Sequence, residues 1–186
     1  GLFTGYFEIN LHGSRKRGGR FQIPIYRRPA DPSRFTRTEI EDGALAGQGL
    51  ELLWLDDPIA AFFLEIQGSG RVELSEGGTV EIGYDAGNDK PYVPVGRLLI
   101  ERGVIPREKL SMAAIRGWMA ANPAEGAALR RENPSYVFFR ENPEDGAVGA
   151  QGVVLTPRRS LAVDRAFIPL GVPIWLDLQQ RFEPGG

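Results

Sequence analysis

The chain has 186 residues, a formal net charge of −2, 42% hydrophobic and 25% charged residues, no cysteine and one histidine. These absences exclude a thiol nucleophile, a disulfide and a Cys-ligated metal centre, and His12 alone excludes a multi-histidine metal site. The 24 Gly and 14 Pro fill about a fifth of positions, below the roughly 25–30% at which such sequences cease to fold, which describes a turn-rich globular protein of one domain or two small ones.

In chain order, residues 2–9 alternate apolar and polar and predict a strand, with Phe3, Gly5, Phe7 and Ile9 on one face. The stretch HGSRKRGGR follows as a polar loop, and a Ser-His-Asp triad that relied on its histidine is not expected. Residues 20–26 and 50–55 predict two more strands, the latter broken by Asp56, Asp57 and Pro58. Over 62–74, Phe62, Leu64, Ile66, Val72 and Leu74 share one parity and Glu65, Gln67, Ser69, Arg71 and Glu73 the other. That pattern reads as one long strand or a bulged pair, apolar on one side and polar on the other. Val80, Ile82 and Tyr84 repeat it after Gly77 and Gly78, which predicts a hairpin.

Helices are predicted over 95–102, with Gly103 as the terminating glycine, and from an N-cap at Ser111 through Met112, Ile115, Trp118 and Met119 to Asn122 and Pro123. A short helix at 127–131 and a strand at 136–139 follow, then a loop over 141–152 suited to a domain crossing, then strand signals at 153–155, 161–164 and 173–178. No apolar run approaches the roughly 20 residues of a membrane span. A chain that opens on Gly1 and a strand reads as cut from something longer.

The chemistry left by these exclusions is carboxylate chemistry. Glu65, Asp85, Asp164 and Asp177 all lie beside apolar residues, and an acid with a raised pKa suits glycosidic bond cleavage; composition does not choose among them, and a structural hydrogen-bond acceptor or surface charge is the favoured reading of each. Gln67 and Ser69, next to Gly68 and Gly70, would offer neutral donors and acceptors on an uncrowded face suited to sugar hydroxyls, or be a plain solvated strand face. Tyr6, Tyr84 and Tyr92 would add aromatic platforms or half-buried packing. Gly68-Ser69-Gly70 is not a dinucleotide loop, because a third glycine and a following helix are missing. Arg15, Lys16, Arg17, Arg20, Arg27 and Arg28 read as a solvated hairpin tip, or alternatively as a binder of anionic polymers; no aromatics interleave with them, and no nucleic-acid partner is expected.

Several motifs together resemble the lytic murein transglycosylase A (MltA) family: FTGYF at 3–7, FQIPIYR at 21–27, DGAL at 42–45, Phe63 with IQGSG at 66–70, PY at 91–92 with GRLLI at 96–100, SMAAIR at 111–116, NPSYVFF at 133–139, LTPRRSLAVDR at 155–165 and IPLG at 168–171. The resemblance implies a mainly β fold with a few helices, a double-psi β-barrel, incomplete here, interrupted by a strand-rich insert domain. It divides the chain into a barrel strand (1–10), the insert domain (11–140) and the start of the C-terminal barrel part (141–186).

The resemblance further implies non-hydrolytic cleavage of the MurNAc-β-1,4-GlcNAc bond of peptidoglycan to a 1,6-anhydro product by one carboxylic acid, with no cofactor and no metal. That family acid belongs to a glycine-rich region downstream of the strand expected at 173–178, so no catalytic residue is expected in this chain and the fragment alone is expected to be inactive. Glycan contacts are assigned to Thr4, Tyr6, Gln67, Ser69, Gly70, Tyr92 and Arg97, and Asp164 to a supporting structural role. The expected setting is the bacterial periplasm, with outer-membrane anchoring of the full-length protein and with peptidoglycan strands and other cell-wall enzymes as partners. A non-catalytic glycan-binding module is the alternative. The sequence departs from the family at Asp89, where a glycine is expected, so this aspartate must avoid or tolerate the left-handed conformation.

Overall fold

The computed structural model describes residues 9–142, 149, 151–156, 159–163 and 166–176. Six strands, β1 (Ile9–Ser14), β2 (Ile23–Tyr26), β3 (Glu51–Leu55), β4 (Ser69–Leu74), β5 (Thr79–Gly87) and β6 (Val137–Asn142), form one sheet in the order β2-β3-β1-β4-β5-β6. Five α-helices among the described residues pack with it: α1 (Arg37–Glu41), α2 (Pro58–Gln67), α3 (Val95–Glu101), α4 (Met112–Ala121) and α5 (Pro123–Arg131). The architecture is thus β-based, and the sheet curls until its edge strands β2 and β6 approach each other. Tyr26 of β2 shares a buried cluster with Phe138 of β6 and Tyr136, so side chains fill the seam of a nearly closed barrel.

The main core lies between the sheet and α2 through α5. Leu53, Leu55, Val72 and Ile82 from the strands are fully buried with Phe62 and Leu64 of α2, Leu99 of α3, Met119 of α4 and Leu129 of α5. Burial of side chains this size contributes about 1.5–3 kcal/mol each. β1 lies parallel to β4, β5 is antiparallel to β4, and β6 antiparallel to β5, with Ile9, Gly70, Ile82 and Glu141 in one row across the four strands. The chain therefore enters β1 and leaves β6 about three strand spacings apart, roughly 14 Å.

Residues 62–67, expected as part of a long strand, are helical. Asp57 caps α2 by accepting from the Ile59 N–H at 2.8 Å, Pro58 takes the first helical position where its missing N–H costs nothing, and Gly68 ends the helix at φ +79°. Ala60 through Leu64 are all buried regardless of parity, so the alternation in this continuous apolar run was a coincidence of composition. The strand begins only at Ser69, and its hairpin with β5 turns through Gly77 and Gly78 as expected.

Ser111 caps α4, accepting from the Ala114 N–H at 3.1 Å, and Gly103 follows α3 at φ +67°. α5 begins at Pro123 and so is longer than the helix expected at 127–131. β1 continues through His12 into the stretch expected as loop, because Ile9 and Leu11 point into the core while Asn10 and His12 stay exposed. Residues 2–8 lie outside the described residues. Among the described residues, those of the strands expected at 153–155, 161–164 and 173–178 do not join the sheet: Val154 makes only a single bridge, and Trp175 stands 93% exposed with no apolar surface over it.

At the other end of β1, Glu76 in the hairpin turn accepts from the Ser14 hydroxyl at 2.8 Å and from the Arg15 N–H at 2.7 Å. The Ser14 hydrogen bond leads in lowering its carboxyl pKa from 4.5 to about 2. Because the folded pKa lies below the unfolded one, the stabilisation is complete above about pH 4.5 and is lost as the pH falls towards 2. Glu76→Gln is expected to flatten the fall of the urea midpoint over that interval; an acid slope identical to that of the parent would count against it.

Candidate functional site

The joint between α2 and β4 positions the polar residues singled out from the sequence. Gly68 in the left-handed region donates to the Leu64 carbonyl at 2.7 Å, while its own carbonyl accepts from the Tyr84 N–H at 2.6 Å. The helix is thereby turned directly into the strand. Gln67, the last residue of α2, and Ser69, paired with Gly83, are half-buried at this joint, and Tyr84 beside them is 55% exposed. Gly70 is buried, and a Cβ placed on it would stand 2.9 Å from both the Ile9 carbonyl oxygen and Leu64 Cδ1. Its lack of a side chain is what lets β1 and α2 meet there.

A cleft of about 630 Å³ adjoins this joint through Ile66, lined also by Phe63, Tyr92, Arg97, Met112 and Ile115. Tyr92 is 52% exposed, and Arg97 is held along α3 by its Nε donating to Glu101 at 2.7 Å. Asp89 nearby adopts φ +53°, so it tolerates the left-handed conformation rather than avoiding it. The structure thus brings Gln67, Ser69 and Gly70 together and links them through Ile66 to the cleft holding Tyr92 and Arg97. Thr4, Tyr6 and Asp164 lie outside the described residues.

Among the four carboxylates considered from the sequence, Glu65 is buried on α2 and committed to structure. Arg37 Nη1 and Nη2 donate to its two oxygens at 3.1 and 2.7 Å, and the Val137 N–H donates at 3.2 Å. Burial pushes its carboxyl pKa up against the opposing pull of the Arg37 charge. Asp85 on β5 is half-buried, and Asp164 and Asp177 lie outside the described residues.

The motif over 133–136 forms a clasp whose importance no local pattern revealed. Arg37 donates to the carbonyls of Asn133 at 2.9 Å and Ser135 at 2.7 Å; fully buried Asn88 donates to those of Phe35 and Pro134, both at 2.9 Å, and accepts from the Tyr136 N–H at 2.8 Å. The basic stretch is largely paired: Arg15 with Glu141, Arg17 with Gln22, Arg20 with Asp56, and Arg27 with the Glu51 carbonyl.

Residues 2–140 match the model of the MltA specific insert domain, and the chain belongs to the MltA family. It is 42% identical over 176 residues to membrane-bound lytic murein transglycosylase A of Vibrio cholerae, covering 93% of this chain and 48% of that protein. The Escherichia coli protein of the same name is 36% identical over 175 residues, covering 92% and 48%.

Among solved structures, the E. coli MltA complex with bound chitohexaose superposes with a TM-score of 0.83 at 36% identity, covering 90% of this chain and 50% of that one. The lytic transglycosylase LtgG of Burkholderia pseudomallei gives 0.74 at 48%, covering 92% and 53%. The chain spans about half the length of the relatives it matches. Those relatives are named membrane-bound, and among the described residues of this chain no helix is long and apolar enough to cross a membrane.

Proposed function

We propose that the protein to which this chain belongs is a lytic transglycosylase of peptidoglycan. On this reading it cleaves the MurNAc-β-1,4-GlcNAc bond without water: one carboxylic acid protonates the leaving oxygen, and the muramic 6-hydroxyl closes on the anomeric carbon, giving its proton to the resulting carboxylate, to form a 1,6-anhydro product. The observation that carries it is the similarity, over 90% of the chain, to a transglycosylase solved with bound chitohexaose. The acid belongs to the parent protein beyond this chain, in keeping with Glu65 being taken up by Arg37.

The part played by this chain is glycan binding. Gln67 and Ser69 supply polar contacts at the α2–β4 joint, Gly70 keeps the backbone there unobstructed, Tyr92 offers a ring face to a pyranose and Arg97 a cation at the cleft; Thr4 and Tyr6 join them from the segment preceding β1. The near approach of the entry into β1 and the exit from β6 supports a reading in which the sheet is an insert, 11–140, within a double-psi barrel to which 1–10 and 141–186 belong. Periplasmic location with outer-membrane anchoring, and contact with other cell-wall enzymes, complete the proposal.

Mass spectrometry of purified peptidoglycan digested in parallel by the full-length parent and by the 186-residue chain tests it. Anhydro-muropeptides are expected from the parent and none from the chain. Reducing-end hydrolysis products from the parent would refute the transglycosylase reading, and anhydro products from the chain alone would refute the placement of the acid.

A further inference from the structure

A second cavity, of about 670 Å³, lies on the other side of α2, between β2, β3, α1 and α5. Its volume falls within the range of small-molecule sites. Four arginines line it, against two glutamates, Glu41 and Glu65. Three of the arginines are engaged. Arg17 donates to Gln22 at 2.8 Å and lies over the Trp54 ring, Arg37 is paired with Glu65, and Arg131 holds Glu41 at 3.0 Å and Asp42 at 2.6 Å.

Arg130 is different. It is only 9% exposed, yet among the described residues its guanidinium makes no hydrogen bond and no ion pair, and burial pulls its pKa down. A lysine so placed could escape by losing its proton, but a guanidinium stays charged, so burying it unpaired is costly unless an anion arrives to meet it.

We infer that this cavity is a second binding site, for the terminal carboxylate of a short peptide, with Arg130 as the anchoring cation. One unpaired guanidinium matches one carboxylate, fork to fork, whereas a phosphate would call on more unpaired donors than the cavity offers. Tyr26, Trp54 and Phe62 provide apolar and aromatic walls for the residue that carries the carboxylate. The lining holds four arginines against two glutamates, a surplus of positive charge that favours an anion. If the parent acts on peptidoglycan, such carboxylates arrive with the substrate on its peptide stems. That last link rests on the function proposed above; the anion site does not.

Isothermal titration of the full-length protein with N-acetyl-D-alanyl-D-alanine, its C-terminal amide and inorganic phosphate tests the site. The free acid is expected to bind saturably, with the amide weaker by at least about tenfold, as loss of a charge-assisted pair requires. Phosphate is expected to compete poorly. Arg130→Met should abolish binding of the acid while leaving the melting temperature within about 5 °C of the parent value, since the residue removed has no partner to strand.

Equal binding of acid and amide, no binding of the acid, phosphate competing as well as the acid, or binding that survives Arg130→Met would each overturn the proposal. A larger fall in melting temperature would make Arg130 a packing residue and overturn it too. The comparison of acid with amide uses unmodified protein and stands even if the variant fails to fold. Anhydro-product formation is read separately, so failure of this site and failure of the transglycosylase reading are told apart.

Discussion

Arg37→Ala is expected to destabilise the fold by about 3–5 kcal/mol, the range for breaking a buried ion pair on one side only. The side chains of Arg37 and Glu65 are 3% and 7% exposed, so alanine removes the guanidinium that lies over the Phe62 and Tyr136 rings and leaves a buried carboxylate with only the Val137 N–H to hold it. The carbonyls of Asn133 and Ser135 lose their donors in the same step. Burial raises the Glu65 pKa, so its contribution is most favourable below the ordinary 4.5 and is lost as the pH rises through the folded value. Without Arg37 that value moves further up. The deficit of the variant should therefore be smallest in mild acid and widen towards neutrality in urea titrations. A deficit that does not change with pH would mean that Glu65 is not what suffers. Combining Arg37→Met with Glu65→Leu is expected to recover part of the loss, because an apolar pair of similar volume strands no charge.

Asn88→Ala is the second large effect, expected at about 3 kcal/mol. Asn88 is fully buried, and both ends of its amide are used: two protons on the carbonyls of Phe35 and Pro134, and the oxygen taking the N–H groups of Tyr136 at 2.8 Å and Lys90 at 3.4 Å. Alanine leaves the Phe35 carbonyl and the Tyr136 and Lys90 N–H groups without this partner, at about 1–3 kcal/mol for each that finds no water, while the Pro134 carbonyl keeps the Arg37 N–H at 3.1 Å. Asn88→Asp should be worse at neutral pH despite its identical shape, because an oxygen then faces two carbonyls and a charge is buried. A urea midpoint for Asn88→Asp equal to or above that of Asn88→Ala would show that shape rather than polarity is what the site requires. The loss should also reach Tyr136 and Phe138, since Asn88 holds the segment that leads into β6 and so sets both rings against Tyr26 at the barrel seam.

How much of this was legible in the sequence depends on the range of the interaction involved. Ser111, Gly103 and the Gly77-Gly78 turn announced themselves because a cap or turn is decided within a few residues, where hydroxyl, N–H and left-handed glycine meet whatever the rest of the chain does. The same local grammar at Asp57-Pro58 also marks a helix start, but the parity of Phe62, Leu64 and Ile66 competed with it. In a run apolar at nearly every position, strand and helix periods cannot be told apart without knowing which faces are covered. The joint at Gly68 followed from that decision, and with it the placement of Gln67 and Ser69 at a helix-to-strand corner instead of along a strand face.

By itself, then, the sequence determined the composition class, the local starts and stops, and, through motifs spread along its whole length, the family. Tertiary structure alone decided which polar residues are structural and which are free. Arg37 meets Ser135 across 98 positions and Asn88 meets Tyr136 across 48, so burial and pairing of those groups exist only once the sheet has curled. For the same reason adjacent Arg130 and Arg131 look alike in the sequence, yet Arg131 is tied to Glu41 and Asp42 at the surface while Arg130 is buried beside an open cavity without a partner among the described residues. A charge acquires its role from the partner the fold brings to it, and composition counts charges without placing them.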